Sequence, residues 1–196
     1  MKILLSIVIM FGLLGCGGTT TAPLEPTPAF ATRDSAAQAM IAAFDTARFT
    51  PLADLPTQDT VTYNGYMGAT IFNNIGNPVT RIIGDASIAL SFGQTRVTAS
   101  GNVTDFIDET QGPMDGQLVL SDGILNRGGD PLVDPTFTAQ ASGALRWPNR
   151  LNRQVDIVLE GDLRGTGSAA IAGEILGQHM ASGGNGDVIG SFILER

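Results

Sequence analysis

Apolar and polar residues alternate along most of the chain from residue 57 onward, and this period of two constrains the fold more than any other feature. Successive side chains of a β-strand point to opposite faces, so the alternation predicts strands with one buried face. Clusters of Gly, Asn, Asp and Pro separate these strands from one another. The predicted strands cover residues 60–72, 82–92, 96–105, 117–125, 136–146, 153–164, 169–180 and 188–195.

The connections between these segments are too short for crossover helices, so we predict that neighbouring strands pair antiparallel in chain order. The pattern favours an all-β fold, an eight-stranded antiparallel up-and-down β-barrel over residues 57–196, because closure removes both exposed sheet edges. The 25 glycines suit tightly bent strands. An open sandwich is the alternative fold.

The alternation also predicts which side chains point into the barrel. Several of them are alanines, and a barrel that holds a ligand in its interior would need small side chains along a wall. The predicted inward residues are Ala86, Ile88, Leu90, Phe92, Val97, Ala99, Val103, Phe137, Ala139, Ala141, Leu145, Val155, Ile157, Leu159 and Leu163.

A short amphipathic helix is predicted before the barrel, within a helix-and-linker segment over residues 32–56. Ser35 and Gln38 fit a capping box, and apolar residues then recur at three- and four-residue spacing as far as Ala47. These features place the helix at residues 35–48. We expect its apolar face to pack against one end of the barrel.

Residues 1–15 have the features of a lipoprotein signal peptide. A charged start precedes an apolar run of about a dozen residues, which is too short to cross a bilayer. The run ends in Leu13, Leu14, Gly15 and Cys16, the order of aliphatic, variable, small and cysteine that lipoprotein signal peptidase recognises. Cys16 is the only cysteine and is therefore the expected site of lipid attachment.

Residues 16–31 are expected to form a lipidated tether, because they are mostly small residues and prolines that cannot pack a core. Gly17 follows the cysteine in place of the aspartate that retains lipoproteins in the inner membrane, so we expect the protein at the outer membrane and on the cell surface. Removing the leader with its one lysine leaves 10 basic against 19 acidic residues, a net charge of −9. So acidic a chain lacks the basic surface that nucleic acid requires.

The sequence predicts no catalytic residues, no metal site and no cofactor other than the covalent lipid. His179 is the only histidine, and we expect it on the barrel wall or rim rather than in a catalytic triad. Asp105, Asp108 and Glu109 cluster in a predicted loop. They could hold a cation or act as paired carboxylates, but solvated loop charges explain them as well.

Two glycine-rich segments are predicted to be turns. Gly165, Gly167 and Ala170 have the spacing of a dinucleotide-binding motif, yet the strand pattern around them leaves no room for a βαβ unit. Residues 183–187 resemble one copy of a calcium-binding glycine repeat. Such repeats bind as stacked copies, so we predict a hairpin loop instead.

Trp147 and Arg150 are the candidate binding residues, at the rim of the barrel. This segment is predicted to be a tight turn capped by an aromatic ring, or alternatively an exposed binding anchor. In an up-and-down barrel the odd-numbered and even-numbered connections lie at opposite ends. We expect the tether and helix at the even end, and the contact face at the odd end. The odd connections are residues 73–80, 106–116, 147–152 and 181–187.

Residues 161–174 resemble the strand-turn-strand signature of the transferrin-binding protein B β-barrel family, with Gly165, Ile171 and Gly173 in register. Residues 63–68 are similar to that family as well. In this family, eight-stranded barrels occur in bacterial surface lipoproteins that bind host transferrin, haemoglobin or complement factor H. The resemblance therefore implies a barrel and a surface location, and we do not extend it to transferrin binding itself.

Together these features lead us to expect a non-enzymatic outer-membrane surface lipoprotein whose barrel loops bind a macromolecular or iron-bearing ligand. Its expected partners are the membrane, through the lipid anchor, and a protein or iron-bearing ligand, with no nucleic acid. One alternative is a periplasm-facing lipoprotein barrel that binds a small apolar ligand in its interior. A structural envelope module is the other.

Overall fold

The computed structural model describes residues 25–196, except for residues 95, 127–135, 149–151 and 182–183. The predicted signal peptide, Cys16 and most of the predicted tether lie outside the described residues, as does Arg150. In chain order the elements are α1 (Pro28–Phe44), a 3₁₀-helix (Leu52–Asp54), β1 (Thr60–Phe72), β2 (Pro78–Phe92), β3 (Arg96–Asp108), β4 (Gly112–Pro113), β5 (Asp115–Gly116), β6 (Leu118–Asn126), β7 (Thr136–Arg146), β8 (Asn152–Arg164), β9 (Ala170–Ala181) and β10 (Gly184–Glu195).

Eight long strands close into an antiparallel barrel. Each pairs with its neighbour in chain order, and β10 pairs with β1 to complete the circle. The two-residue strands β4 and β5 lie between β3 and β6 and pair with β3 and β7. The predicted fold class is confirmed, and closure excludes the open sandwich.

The described strands agree closely with the predicted ones. The bounds of β1 and β7 are those predicted, whereas β2 and β10 begin at residues 78 and 184 instead of 82 and 188. Both extensions lengthen a hairpin through main-chain pairing with the preceding strand, which does not need an alternating apolar pattern.

The barrel interior is filled with side chains. Every predicted inward residue is buried, the inward alanines included. They belong to one continuous cluster with large side chains such as Tyr63, Phe106 and Phe192. Burying a side chain of leucine or phenylalanine size contributes roughly 1.5–3 kcal/mol, so this cluster is the main source of stability.

Helix α1 begins at residue 28 instead of the predicted residue 35. Pro28 stands in its first turn, where the missing N–H leaves no hydrogen bond unmade, and the side chain of Thr27 caps the helix. The capping box predicted at Ser35 and Gln38 is therefore wrong. Residues 28–31 belong to the helix rather than to the tether, because proline favours the start of a helix as well as extended chain.

The helix lies along the outer wall of the barrel, not against one end as predicted. Phe30 and Ala37 are buried against the outward-facing side chains of Ile83, Ile107 and Ile193. A helix of 17 residues is about 25 Å long, which allows it to follow the wall over much of its height. None of the described helices has both the length and the apolar character needed to cross a membrane.

Charged pairs also join the helix to the wall. Arg33 lies 3.0 Å from the Asp85 carboxylate, and Asp34 lies 2.7 Å from Arg81. Arg81 also reaches the Glu109 carboxylate at 3.5 Å. Surface ion pairs of this kind contribute up to about 1 kcal/mol each, so the apolar contact holds the helix and the charges orient it.

The helix carries the chain from one end of the barrel to the other. Before its first turn, the Thr27 N–H donates to the Glu109 carbonyl at 2.7 Å, in the third connection. After its last turn, the Arg48 carbonyl accepts from the Gly165 N–H at 2.8 Å, in the sixth connection. The described chain thus starts at the odd end. The prediction that the helix lies at the even end is wrong, because the helix spans the wall, and the described last residues of the predicted tether lie at the odd end.

Residues 49–59 run across the even end from the sixth connection to the end of β2, where the Phe92 N–H donates to the Asp59 carbonyl at 2.8 Å. The main-chain N–H of Thr50 donates to the Leu163 carbonyl, and its hydroxyl donates to the Gly165 carbonyl, each at 2.8 Å. Leu55 is 4% exposed and joins the barrel core. The chain therefore enters β1 at the even end, as the predicted topology requires.

Candidate functional site

Trp147 is not an exposed anchor. Its side chain is 2% exposed, and its Nε1–H donates to Asp108 Oδ2 at 2.7 Å. The guanidinium of Arg153 lies 5.0 Å from the centre of its ring. Burial leaves no polar hydrogen of the indole unpaired, because the buried Asp108 carboxylate accepts its one N–H. The prediction of Trp147 as a contact residue is therefore wrong, and that of Arg150 lies outside the described residues.

The three clustered acidic residues do not form a common site. Asp105 and Asp108 lie in β3 rather than in a loop, and Asp108 is fully buried whereas Asp105 is exposed. The Asp108 carboxylate accepts hydrogen bonds from Trp147 and from two residues of the following turn. Glu109 pairs with Arg81 instead. Within the described part of the chain, no three potential metal ligands come together.

His179 lies on the inner wall at the odd end and is 3% exposed. Its Nε2 is 2.8 Å from the Phe72 carbonyl, which can only accept, so this nitrogen carries the proton. The Arg153 guanidinium lies 3.4 Å from the same nitrogen, and a Cβ on Gly186 would lie 2.8 Å from it. An imidazole enclosed in this way agrees with the predicted wall position.

The glycine-rich segment after β8 is a turn, as predicted. Gly165 and Gly167 adopt φ values of +81° and +68°, which favour glycine, and β9 follows as a strand rather than a helix. Residues 184–187 belong to β10, and residue 183 lies outside the described residues. The dinucleotide reading is therefore excluded.

Two hydroxyl groups are buried together at the even end. Tyr63 and Ser168 are 0% and 1% exposed, and within the described structure neither hydroxyl has a hydrogen bond of normal geometry. Burial raises the pKa of Tyr63 to about 12, and the Arg196 charge and the nearby Ser168 hydroxyl oppose that rise. Both residues are buried, and Tyr63 belongs to the barrel core.

Three exposed apolar side chains lie next to one another in a row on the outer wall. Val158 pairs directly with Leu176, and Leu176 pairs directly with Ile189, so the three form one row across β8, β9 and β10. They are 41%, 55% and 46% exposed. Directly paired side chains on one face of a sheet lie about 5 Å apart, so the row spans roughly 10 Å. We call these three residues the apolar row.

Acidic side chains border the apolar row on both sides. The outward positions next to it toward the even end include Glu160 and Glu174, which pair directly with each other. Toward the odd end they include Asp156 and Asp187. All four are exposed, and the ion pairs described for this chain include none of them. We call these four residues the acidic border.

Two open grooves flank the part of the row formed by Val158 and Leu176. The groove toward the even end has a volume of about 480 Å³, and its lining includes Glu160, Glu174 and Arg164. The groove toward the odd end has a volume of about 360 Å³. Val158 and Leu176 line both grooves and therefore form a ridge between them.

Inward-facing glycines allow the wall to bend beneath the larger groove. Gly161 pairs directly with Gly173. A Cβ on Gly173 would lie 2.0 Å from the Glu160 carbonyl, and one on Gly161 would lie 2.7 Å from the Phe192 ring. A side chain at either position would push the wall outward, so the glycines shape the groove from inside.

The apolar row was not predicted from the sequence, although a signal for it is present. In β8, β9 and β10 the alternation is interrupted by consecutive apolar residues, and the second residue of each interruption is Val158, Leu176 or Ile189. Such an interruption places an apolar side chain on the polar face. That the three lie side by side follows only from the strand register.

Comparison of the chain with protein-family models, with curated proteins and with solved structures finds no match in any of the three.

Proposed function

We propose that the protein is a non-enzymatic lipoprotein of the outer membrane, anchored through Cys16, whose barrel binds a macromolecule on its outer surface. The observation that carries this proposal is the contrast between a filled interior and an exposed apolar row on the outer wall. Contiguous exposed apolar side chains mark protein contacts more often than singly scattered ones do. The lipobox and the resemblance to surface lipoproteins support the anchored location.

The filled interior argues against a barrel that holds a small apolar ligand. The inward alanines are buried among large side chains instead of lining a cavity. Leu55 covers the core at the even end, and the buried pair of Trp147 and Asp108 lies near the odd end. Among the described residues, these contacts would have to open before a ligand could reach the core.

The position of the helix changes which parts of the surface face away from the anchor. The described chain starts beside Glu109, at the odd end. A tether that leads from Cys16 to this point would hold the odd end nearer to the membrane. The even end and the outer wall would then be the more accessible surfaces, in place of the odd rim.

Fatty-acid labelling and cross-linking on intact cells test the proposal together. We expect the wild-type protein to incorporate a labelled fatty acid, to be cleaved by protease on intact cells, and to form a cross-linked complex. Cys16→Ser should lose the label. A labelled Cys16→Ser variant would refute the anchor, and protection from protease with no cross-linked complex would favour a structural envelope module.

A further inference from the structure

We propose that the apolar row with its acidic border is the docking surface for a cationic segment of a partner protein that carries apolar side chains. The inference rests on the proposed function, because it assumes a binding protein, and it adds the surface and the chemistry of the partner. The surface lies entirely within described residues of β8, β9 and β10.

The exposed apolar side chains lie next to one another instead of being scattered. Single exposed apolar residues are common on protein surfaces and need no explanation. Here three of them lie in consecutive positions of one row, and the grooves on both sides expose the flanks of Val158 and Leu176. A partner that covers this ridge would remove all three side chains from water.

The charge around the row decides which partner fits. Four carboxylates surround it, and none of the ion pairs described elsewhere in the structure neutralises them. Arg164 also lines the larger groove, and its guanidinium lies 4.7 Å from the centre of the Phe49 ring. The whole chain carries 19 acidic against 11 basic residues. Arginine or lysine side chains of a partner would therefore be attracted to this surface.

The direct pairing of Glu160 with Glu174 supports the same conclusion. Like charges in directly opposed positions of a sheet destabilise it. A cationic side chain placed between these two carboxylates would relieve the repulsion only in the complex. Neutralising one of these two carboxylates should therefore weaken binding of the partner and raise the stability of the free protein.

Other occupants fit the surface less well. A second copy of the chain, docked row to row, would bring two acidic borders together. A membrane with anionic headgroups and a nucleic acid would both be repelled. The test includes the second copy and the anionic membrane as outcomes.

The probe is a short synthetic peptide of arginine and leucine residues, titrated into the full-length protein in detergent micelles with a micelle-only blank. Two control peptides replace leucine by serine or arginine by glutamate. We expect the first peptide alone to bind measurably, with an affinity that falls as salt rises. Equal binding of the glutamate peptide, or no binding of the arginine and leucine peptide, overturns the proposal.

Variants then locate the binding surface. Leu176→Ser and Glu160→Gln should each weaken peptide binding roughly fivefold, the effect of one half-buried apolar side chain or one charge contact. Glu160→Gln should also raise the melting temperature, because it removes the like-charge pair. The matched controls are Val79→Thr, an exposed valine of β2, and Glu195→Gln, an exposed glutamate at the end of β10. Equal losses in the controls would refute the location.

Two further results separate this inference from the proposed function. If cross-linking on cells captures a partner equally well with wild type and Leu176→Ser, the docking surface is wrong while the binding function stands. A concentration-dependent dimer that Leu176→Ser abolishes would identify a second copy as the occupant and overturn the cationic partner. Binding to anionic vesicles in place of the peptide would overturn it as well.

Discussion

The buried contact between Asp108 and Trp147 should contribute measurably to stability. Asp108 is fully buried, and its carboxylate accepts four hydrogen bonds. They come from Trp147 Nε1 at 2.7 Å, the Thr110 N–H at 3.0 Å, the Thr110 hydroxyl at 3.2 Å and the Gln111 N–H at 3.0 Å. Asp108→Asn removes the charge and turns an amide N–H₂ toward these donors.

The magnitude follows from the geometry. A hydrogen bond to a charged group contributes roughly 1.5–3 kcal/mol, and the losses at one carboxylate are not additive. We therefore expect Asp108→Asn to lower the free energy of unfolding by about 3 kcal/mol. For a domain of this size that corresponds to a melting temperature lower by roughly 6–12 °C.

Urea unfolding measures the effect. Trp147 is the only tryptophan, so its fluorescence reports directly on this contact, and far-ultraviolet circular dichroism follows the barrel as a whole. The control is Asp115→Asn, an exposed aspartate nearby in β5, which should change stability by less than about 0.5 kcal/mol.

A double-mutant cycle isolates the bond between the two side chains. Trp147→Phe keeps most of the packing and removes the N–H donor. If the bond is formed as described, the double variant should lose less stability than the two single variants together, by about 1 kcal/mol or more. Additive losses, or an Asp108→Asn variant as stable as the Asp115 control, would refute the reasoning.

Three further predictions concern the even end and the wall. Burial raises the pKa of Tyr63 to about 12, so the stability that the neutral hydroxyl provides is fully present below pH 10, and about 3 kcal/mol of the free energy of unfolding is lost as the pH rises toward 12. Tyr63→Phe should remove this alkaline loss in urea titrations, and an unchanged pH profile would contradict the assignment. Gly161→Ala should lower the free energy of unfolding by roughly 2 kcal/mol, because its Cβ would lie 2.5 Å from the Ala172 carbonyl. Gly68→Ala should leave stability unchanged, because its Cβ would lie 3.9 Å from the nearest atom, and thermal melts that rank the two variants the other way would count against the bent wall. Leu55→Ala should lower the free energy of unfolding by about 2–4 kcal/mol in the same melts. A variant as stable as the wild type would show that the even end is closed without this side chain.

The barrel could be predicted because its signal is local. Side-chain direction alternates along any strand, so the inward residues of β2, β3, β7 and β8 could be identified one strand at a time. Short connections then left antiparallel neighbours as the simple pairing. The turn at Gly165 followed from the same alternation on both sides of it.

The helix and the buried polar groups were harder to predict from the sequence. Some of their residues are compatible with two local structures, and others depend on a partner far away in the chain. Pro28 is compatible both with an extended tether and with a first helical turn, and contact with the wall decides between them. Trp147 could be an exposed anchor or a buried ring. Its partner Asp108 is 39 residues away, and only their meeting at the odd end settles the question.

The apolar row could be predicted from the sequence only in part. Consecutive apolar residues in β8, β9 and β10 were visible in the sequence, but each taken alone is an ordinary irregularity. Their alignment depends on the register of three strands, in which a slip of one residue would turn these side chains inward.

The sequence by itself determined the alternation, the turns and therefore the eight strands, because these depend on backbone geometry within a few residues. Tertiary structure decided everything that depends on which distant residues meet: the path of the helix along the wall, the end at which the described chain starts, the burial of Trp147, and the apolar row. The physical reason is that strand periodicity specifies a face, whereas only closure and register specify the neighbour on that face.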